Sequence, residues 1–426
     1  MAVIADGTMS ARGNHERSRT PPTPPVALVV IGTFVGDGSR FQGPAFNRAG
    51  QMFQAELVRG LSEAGLVPSA VYSLEPVPAF PRMPRLVGRV GLLAATRGIR
   101  VRLIPFLNVH PLKVLTAGIS TLAMLVAWAW RHRGQPRVMC VINLTMPPGV
   151  CVWLAARITR SRAVVSVLDV WRPGGIVPDT WKWRLDFAMQ RWLLPRFDGH
   201  MVVSRAIAED LIPGRRVCLI EGGVPADRVG PPPADVRAGP PFRIVLAGTL
   251  EPYNGVELIA RAMALLPDEY ELIIAGAGSR AAYAADLAAR DPRVSFRGFL
   301  SFEEVVDLYR SADLLLNARL TKAVDTRYFF PSKLMELLAS GTPVLSTCTG
   351  HVESEYGHVL YLLREETPEA LAVRIQEIRA IDPAERERLG LRARDFMLRE
   401  KTWDRQGERL ARYIREDVLG MTSPHA

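Results

Sequence analysis

Short apolar runs alternate with amphipathic stretches along most of the chain from Val26 onward. The apolar runs have the length of buried strands, and between several of them leucine, valine and alanine recur at the spacing of one helix face. Strands that alternate with helices in this way form parallel sheets covered by helices on both sides. The pattern therefore predicts an α/β fold with doubly wound sheets.

A segment rich in proline and glycine interrupts the alternation, and we interpret residues 223–241 as a linker between two domains. The length of 426 residues also favours two domains over one. We expect one Rossmann-like domain over residues 26–222 and another over residues 242–402, facing each other across a cleft. Residues 1–25 are polar, end in TPPTPP and lack the apolar core of a signal peptide, so we predict a disordered tail there.

The strongest candidate for chemistry is a predicted helix that begins at Pro331, ends at Gly341 and leads directly into an apolar strand. The free backbone N–H groups and the positive dipole end of a helix start favour a phosphate group. Lys333 and Glu336 lie three residues apart and share one face of this helix. The Glu336 carboxylate can accept hydrogen bonds from sugar hydroxyls. Together these features predict a site for a nucleoside diphosphate.

Two earlier strands of the second domain end in glycine turns, at Gly248 in AGTLEPYNGVE and at Gly276 in AGAGS. Each turn alone indicates no more than ordinary turn geometry. Their order and spacing relative to the helix at Pro331 are much harder to obtain by chance, and ligands of doubly wound sheets bind where the strands end. We therefore expect these three features to form a single site.

The second half of the chain resembles the nucleotide-sugar domain of the retaining GT-B glycosyltransferases, specifically glycosyltransferase family 4. The resemblance lies in AGTLEPYNGVE, LIIAGAG, VSFRGFLSFEEVVDLYRSADLLL and PSKLMELLASGTPVLST. The first half is similar more loosely, through LDVWRPGG and DGHMVVSRAIAEDL. The resemblance implies two Rossmann-like domains and a final helix, at about residues 403–420, that returns to the first domain.

The resemblance also implies transfer of a sugar from a nucleotide diphosphate sugar, with retained anomeric configuration and with no metal or other cofactor. The sequence agrees on the metal, because it contains no Asp-x-Asp pair. By the same resemblance the turn at Gly248 lies close to the phosphates, Ser332, Lys333 and the Leu334 N–H meet the diphosphate, and Glu336 meets the ribose. The donor-binding residues predicted in this way are Gly248, Thr249, Asn254, Gly276, Arg297, Phe299, Arg327, Pro331, Ser332, Lys333, Leu334 and Glu336. Arg297 and Phe299 would lie near the base, and Lys333 and Glu336 are candidate catalytic residues.

Two features that many family members carry are missing here. An arginine and a lysine in the first turn neutralise the diphosphate in many relatives, whereas this chain has Thr249 and Asn254. The family's pair of glutamates is incomplete, because Tyr328 stands eight residues before Glu336. An active enzyme would need other cations to stabilise the leaving phosphate. The nearest candidates are Lys333, Arg327, Lys322 and Arg319.

These departures keep two alternatives to an active transferase open. One is a catalytically degenerate homologue, which binds nucleotide sugar or serves as a partner subunit without turnover. The other is a sugar-nucleotide epimerase on the same architecture, which the lack of histidine and carboxylate clusters disfavours.

On the acceptor side, the first domain offers a glycine-rich loop and two polar residues that follow predicted strands. The loop contains Gly36 and Arg40, and a flexible surface loop is an equally good interpretation of it. Asn143 and Asp169 follow strands and point to the same cleft by topology. Asp169 is the preferred acceptor-side and catalytic candidate for a hydroxyl acceptor. His351 is a weaker candidate near the donor sugar.

The formal charge of +10 invites nucleic acid or an anionic membrane as a partner. We discount nucleic acid because the arginines are scattered rather than gathered in a basic stripe. The predicted helix over residues 181–194 has the aromatic and basic composition of a membrane-surface helix, but we favour packing on the first sheet. The apolar run over residues 114–130 is marginal for spanning a bilayer, and we favour burial within the fold over a membrane-interface position. Lipid contact would imply a lipid-linked acceptor and a protein peripheral to the inner face of a membrane.

The four cysteines show no CxxC spacing and the seven histidines form no HxxxH pair, so neither a disulfide pattern nor a protein-bound metal is predicted. The cysteines lie in or beside apolar runs, as buried structural thiols do. We therefore expect a cytoplasmic protein.

Overall fold

The computed structural model describes residues 25–36, 48–170, 172–174, 177–233, 239–322 and 326–421, whose strands form two sheets. The first sheet contains β1 (Ala27–Gly32), β2 (Ala70–Ser73), β3 (Gly91–Ala94), β4 (Arg100–Leu103), β5 (Arg137–Ile142), β6 (Arg162–Val167), β7 (Gly199–Val202) and β8 (Cys218–Leu219). The second sheet contains β9 (Phe242–Thr249), β10 (Tyr270–Ala277), β11 (Val294–Phe296), β12 (Leu314–Asn317), β13 (Val344–Thr347) and β14 (Tyr361–Leu363).

The strand order is β3-β4-β2-β1-β5-β6-β7-β8 in the first sheet and β11-β10-β9-β12-β13-β14 in the second. Every strand pair in the described residues is parallel except β3 with β4, which is antiparallel at the outer edge. The central strands β1, β5 and β6 are buried except for the first residues of β5 and β6, which explains their continuous apolar runs. The predicted α/β architecture with two Rossmann-like sheets is confirmed.

Helices connect the strands and cover both sides of the sheets. They are α1 (Arg48–Glu63), α2 (Leu112–Arg131), α3 (Pro148–Thr159), α4 (Trp181–Leu193), α5 (Arg205–Leu211), α6 (Val256–Met263), α7 (Ala281–Arg290), α8 (Phe302–Arg310), α9 (Ser332–Ser340), α10 (Val352–Tyr356), α11 (Pro368–Ala380), α12 (Pro383–Glu400) and α13 (Trp403–Tyr413). Helix α9 is the phosphate-site helix expected from the sequence, and its C-terminal Gly341 adopts the left-handed conformation with φ 88°.

The last helix, α13, packs against α1 of the first sheet. Gly407 and Gly60 bring the two backbones into direct contact, because a Cβ at Gly407 would collide with Gly60. Phe53 of α1 also meets the Trp403 ring edge-on, with 4.9 Å between the ring centres. The C-terminal helix therefore packs on a helix that follows β1 of the first sheet, while its assignment to the first domain stays a prediction.

Two chain segments that cross between the sheets run side by side. The Val224 N–H donates to the Lys401 carbonyl at 2.8 Å, and the Trp403 N–H donates to the Val224 carbonyl at 3.2 Å. Gly223 lies under the Trp403 ring, where a Cβ would come within 2.7 Å of a ring carbon. The crossing is thus a short two-stranded contact that leaves no room for a side chain at Gly223.

A buried ionic cluster, which we call the hinge cluster, lies beside this crossing and consists of Glu221, His351, Tyr356 and Lys401. The Glu221 carboxylate accepts hydrogen bonds from Lys401 Nζ at 3.2 Å and from the Tyr356 hydroxyl at 3.2 Å, and pairs with His351 Nε2 at 3.0 Å. Burial alone would raise the pKa of Glu221, but His351 and Lys401 together lower it to about 2. His351 therefore lies in the hinge cluster rather than at a donor sugar, which corrects the expectation for this residue.

Helices α2 and α4 bury less of their surface than the sequence analysis favours. Helix α2 is long and apolar enough to cross a membrane, yet only 28 % of its most apolar window is buried. Its buried side chains are Ala117, Thr121, Leu125, Trp128 and Ala129. In α4 the buried side chains are Gln190 and Leu193. Each helix thus packs on the first sheet along one narrow side and exposes the other, so the favoured interpretation of a helix buried within the fold is wrong for α2.

Candidate active site

The predicted donor-side residues converge where β9 and β12 end and α9 begins, around a cavity of about 210 Å³. Neighbouring parallel strands end at the same edge of a sheet, which brings these loops together. Six of the predicted residues line the cavity: Gly248, Thr249, Asn254, Pro331, Ser332 and Lys333. Two of the three features that the sequence analysis singled out, the turn at Gly248 and the helix start at Pro331, therefore meet at this cavity.

The first turn of α9 presents backbone donors to this cavity. Among the described residues, none accepts a hydrogen bond from the N–H of Ser332 or Lys333. The Leu334 N–H instead donates to the Pro331 carbonyl at 2.8 Å, so it could meet a diphosphate only after that turn bond opens. The helix start offers two backbone donors and a positive dipole end to an anion.

Lys333 places a cation at the same helix start. Its Nζ donates to Glu336 Oε2 at 2.5 Å and lies 5.5 Å from the centre of the Tyr309 ring. Burial alone would lower the pKa of Lys333, but Tyr309 and the Glu336 carboxylate outweigh it and raise the pKa above its usual value. Lys333 therefore stays charged at neutral pH, and an incoming diphosphate would compete with Glu336 for its ammonium group.

The turn after β9 contributes backbone and shape rather than charge. Asn254 Nδ2 donates to the Thr249 carbonyl at 2.5 Å and so closes the turn. Gly248 has φ 144°, and a Cβ at this position would lie 4.0 Å from Lys333 Cγ. Because glycine has no Cβ, the end of β9 stays open toward Lys333. The positive charge that family members carry in this turn must come from elsewhere.

Arg319 supplies a second cation to the cavity. It follows β12, and its guanidinium lies 5.4 Å from the centre of the Tyr253 ring. Burial lowers the pKa of Arg319, while Tyr253 and Asp169 act in the opposite direction. Its Nε is buried and has no hydrogen-bond partner among the described residues. A buried guanidinium with an unsatisfied donor is suited to a phosphate oxygen.

Asp169 approaches this cavity from the first domain. Burial raises the pKa of its carboxyl group, and the charge of Arg319 partly offsets that rise. This electrostatic interaction joins a residue that follows β6 of the first sheet to one that follows β12 of the second. Asp169 does not line the cavity itself, but it lies close enough to Arg319 to feel its charge, and its acceptor-side role stays a prediction.

Glu336 lies on the other side of the α9 start. Its side chain is 55 % exposed and borders a second cavity, of about 380 Å³, between the two sheets. Ser332 borders both cavities, while Met52 of α1 and Met335 of α9 give the second one apolar walls. The hydrogen bond between Lys333 and Glu336 therefore links the two cavities at the start of α9.

The remaining donor-side predictions fall outside the 210 Å³ cavity. Gly276 pairs with Gly248 across β10 and β9, and it must be glycine because a Cβ would collide with the Gly248 carbonyl. Arg297 and Phe299 follow β11 and are exposed, and Phe299 is 77 % exposed. Their assignment to the base stays a prediction.

Arg327 and Tyr328 join the loop before α9 to the first domain. Asp210 of α5 accepts a hydrogen bond from the Tyr328 hydroxyl at 2.8 Å and pairs with the Arg327 guanidinium at 2.9 Å. Tyr328 thus contacts the first domain where relatives carry a carboxylate. Of the four replacement cations named from the sequence, Lys333 and Arg319 line the cavity, while Arg327 and the exposed Lys322 do not.

The other acceptor-side predictions receive less support from the geometry. Asn143 has φ 61°, and its side-chain oxygen accepts a hydrogen bond from the Leu144 N–H at 3.1 Å. Gly36 lies against the Ala94 carbonyl of β3, where a Cβ would come within 3.1 Å. Arg40 lies outside the described residues. These three assignments stay predictions.

Two Rossmann-like sheets, with a helix start that exposes backbone N–H groups at the end of the second, define a protein of the GT-B class. Two family models match the chain: a glycosyl transferase 4-like domain over residues 49–223, and glycosyl transferases group 1 over residues 241–380. The chain belongs to the GT-B glycosyltransferases of the glycosyltransferase 4-like type. A search of curated proteins found no match.

Solved glycosyltransferase structures share this fold at low sequence identity. Sucrose-phosphate synthase from Thermosynechococcus elongatus is 17 % identical with a TM-score of 0.65, over 92 % of this chain and 100 % of that one. Anabaena HepE in complex with UDP and glucose is 15 % identical with a TM-score of 0.62, over 91 % and 99 %. The lipopolysaccharide outer core galactosyltransferase WaaB is 13 % identical with a TM-score of 0.60, also over 91 % and 99 %. At these identities the likeness establishes the fold.

Proposed function

We propose that the protein is a retaining, metal-independent glycosyltransferase that moves a sugar from a nucleoside diphosphate sugar to a hydroxyl acceptor. The observation that carries this proposal is the convergence of a helix start with free N–H donors and two cations, Lys333 and Arg319, on one cavity. HepE has been solved with UDP and with UDP-glucose, which supports the same class of donor here.

The proposed reaction is a displacement on one face of the sugar. The bond between the anomeric carbon and the phosphate oxygen breaks, and a bond to the acceptor oxygen forms on the same face. The acceptor proton passes to the leaving phosphate, so no general base is needed. Lys333, Arg319 and the α9 start stabilise the charge that develops on the leaving group, which is the main catalytic contribution. Asp169 would orient the acceptor hydroxyl.

For the pathway, we propose the biosynthesis of a polysaccharide, a glycolipid or another glycoconjugate, in the cytoplasm at the inner face of a membrane. The four cysteines support a reducing compartment because all are free thiols, and three of them are buried. Burial raises the pKa of Cys140 to about 12, which keeps its thiol unreactive.

A panel of nucleotides tests the donor assignment directly. We expect at least one of UDP, GDP, ADP and TDP to raise the melting temperature, and isotope-labelled sugar from the matching donor to be hydrolysed or transferred in the presence of cell extract. Stabilisation by none of the four would contradict the site. Binding without turnover of any donor would instead support the degenerate homologue.

Replacing Glu336 by alanine should lower kcat/KM for the donor about tenfold, because the ribose loses a charge-assisted acceptor. Glu377→Ala is the matched control: Glu377 is 53 % exposed and pairs with Arg374 three residues away, much as Glu336 pairs with Lys333. Steady-state kinetics of both variants decide the question. Equal activity in the two variants would remove Glu336 from the site.

Replacing Arg319 by glutamine should lower kcat/KM about ten- to a hundredfold, since a charged hydrogen-bond donor to the phosphate is lost. Arg327→Gln serves as the control, because Arg327 pairs with Asp210 and lies outside the cavity. Donor hydrolysis and UDP affinity should be measured for both. A larger loss in Arg327→Gln would favour the sequence-based assignment over the observed geometry.

A further inference from the structure

The outer face of α2, α3 and α4, meaning the side of these helices that points away from the first sheet, is a continuous surface. The Cys151 thiol of α3 contacts the Gly118 carbonyl of α2 at 3.3 Å. Trp153 of α3 meets Trp192 of α4 edge-on, with 5.6 Å between the ring centres. The inward side chains of all three helices belong to one hydrophobic core. The three helices therefore lie side by side and present one layer to the outside.

Apolar side chains on this outer face follow the helical repeat. In α4 the exposed ones are Trp181, Leu185, Met189 and Trp192, at spacings of four, four and three residues. In α2 they include Leu112, Leu115, Ile119 and Trp130, which also share one side of the helix. Trp181 is 70 % exposed and Trp130 is 66 % exposed. Large side chains repeated at these spacings form stripes rather than scattered exposed residues.

The same segment carries most of the net charge of the chain. Residues 111–197, which contain all three helices, hold twelve lysines and arginines against three aspartates. That excess of nine accounts for nearly all of the formal charge of +10. Six of these basic residues lie on the three helices themselves: Lys113, Arg131, Arg157, Lys182, Arg184 and Arg191. Others lie elsewhere, because Arg137 and Arg162 begin strands and Arg172 lies over the Tyr328 ring. The three helices therefore carry a net positive charge together with their exposed apolar side chains.

At the far end of α4 the basic residues surround an open cavity of about 850 Å³. Its cationic lining consists of Arg157, Arg160, Arg162, Arg196 and Arg215. Asp198, which pairs with Arg162, and Asp417, which pairs with Arg216, also line the cavity. The Arg196 guanidinium lies 3.9 Å from the centre of the Trp192 ring, so basic and aromatic side chains are interleaved there. This arrangement matches an anionic headgroup above an apolar layer.

We propose that the outer face of α2, α3 and α4 docks on an anionic phospholipid bilayer. Exposed tryptophans suit the boundary between headgroups and acyl chains, and the arginines suit anionic headgroups. A second copy of this chain would bring two strongly positive faces together, which charge repulsion opposes. Helix α2 lies along the sheet, with Trp128 Nε1 bonded to Ser69 Oγ at 2.9 Å, so it rests on the membrane rather than crossing it.

The docking surface leads to the proposed acceptor side. Asp169 follows β6 and Trp181 begins α4, the helix between the parallel strands β6 and β7, so both residues lie at the carboxyl end of the sheet, where the cleft is. A bilayer at the outer face would therefore lie next to the cleft, and a lipid-linked hydroxyl acceptor could reach Asp169 without leaving the membrane. This last step rests on the proposed function, whereas the docking surface does not.

Vesicle co-sedimentation of the full-length protein tests the docking surface. We expect binding to phosphatidylcholine vesicles that contain about 30 mol % phosphatidylglycerol, a blue shift of tryptophan fluorescence, loss of binding at high salt, and little binding to pure phosphatidylcholine. The double variant Trp181→Ser/Leu185→Ser should bind at least tenfold more weakly. Its matched control is Leu265→Ser/Val373→Ser, which removes two exposed apolar side chains from the second domain.

A charge variant separates the two contributions to binding. Arg157→Gln/Arg191→Gln should lose about fivefold in vesicle affinity for each arginine, whereas Arg290→Gln/Arg399→Gln on the second domain should bind like the wild type.

Equal binding to neutral and anionic vesicles, or no binding by the wild type, would overturn the proposal. A concentration-dependent dimer that Trp181→Ser/Leu185→Ser abolishes would assign the face to a second copy instead. Turnover of soluble donor should survive in all four double variants. If the wild type binds vesicles but does not turn over donor, the proposed transferase activity is refuted and the docking surface is not.

Discussion

Replacing Lys333 by alanine is expected to lower kcat/KM for the nucleotide sugar about 100- to 1,000-fold, the range found when one preorganised transition-state contact is removed. Lys333 lies at the start of α9, faces the open backbone of Gly248, and stays charged. Thr249 and Asn254 hold the positions at which many relatives carry cations, so Lys333 shares the leaving group with Arg319 alone among the residues that line the cavity. The loss should therefore exceed that in a relative with both first-turn charges, and it should appear mainly in kcat.

Two controls keep this expectation specific. Lys322→Ala removes an exposed lysine outside the cavity and should leave kinetics unchanged. The double variant Lys333→Ala/Glu336→Ala should lose less than the product of the single losses, because Lys333 Nζ and Glu336 Oε2 are hydrogen-bonded at 2.5 Å and form one coupled unit. Activity of Lys333→Ala within threefold of the wild type would place the diphosphate elsewhere.

The features that the sequence predicted well are those encoded by local pattern. The spacing of Ser301 and Glu304 is that of a capping box, and the box is present, with the Ser301 N–H donating to Glu304 Oε2 at 2.7 Å. A threonine followed by proline favours a helix start, and helix α11 begins at Thr367–Pro368, where the Thr367 hydroxyl accepts from the Ala370 N–H. Helix starts and buried strands depend on neighbours within a few residues, so one sequence suffices to place them.

The sequence alone could not predict which cations reach the donor cavity, because that depends on contacts between residues far apart in the chain. Arg319 and Arg327 are eight residues apart and follow the same strand, yet one lines the donor cavity and the other pairs with Asp210 of the first domain. A clue was available for Arg319: it follows β12, which lies next to β9 in the sheet, and ligands gather where such central strands end. Arg327 instead pairs with Asp210, a residue 117 positions earlier in the chain, and local sequence does not encode such a contact.

The exposed sides of α2 and α4 show a second limit of prediction from the sequence. An apolar helix pattern tells which side is buried only if the other side is polar, and here both sides carry apolar residues. Leu125 and Trp128 face the core, whereas Leu115 and Ile119 in the same helix face outward. Deciding between a core helix and an interface helix therefore required the fold.

Replacing Lys401 by methionine is expected to destabilise the protein by about 3–5 kcal/mol, because the buried Glu221 carboxylate keeps only His351 and Tyr356 as partners and Glu355 also loses its pair with Lys401. Lys401 is 2 % exposed and Glu221 is fully buried, so water cannot take over the lost interaction. Arg399→Met is the matched control. Arg399 lies two residues earlier, and its pair with Asp395 is exposed, so its loss should cost at most about 1 kcal/mol.

The pH dependence of unfolding identifies Glu221 as the cause. Its pKa in the folded protein, about 2, lies below the value of about 4.3 expected in the unfolded chain, so its ionised form stabilises the fold above about pH 4.3 and this stabilisation is lost as the pH falls toward 2. In Lys401→Met, burial raises the pKa of Glu221 with less to oppose it. The difference in unfolding free energy between wild type and variant should therefore be largest at neutral pH and should narrow below about pH 4.3. Denaturant titrations at pH 7 and pH 3 measure the unfolding free energies of wild type and variant at both pH values. If Lys401→Met loses no more unfolding free energy at pH 7 than Arg399→Met does, the hinge cluster does not hold the two crossing segments together.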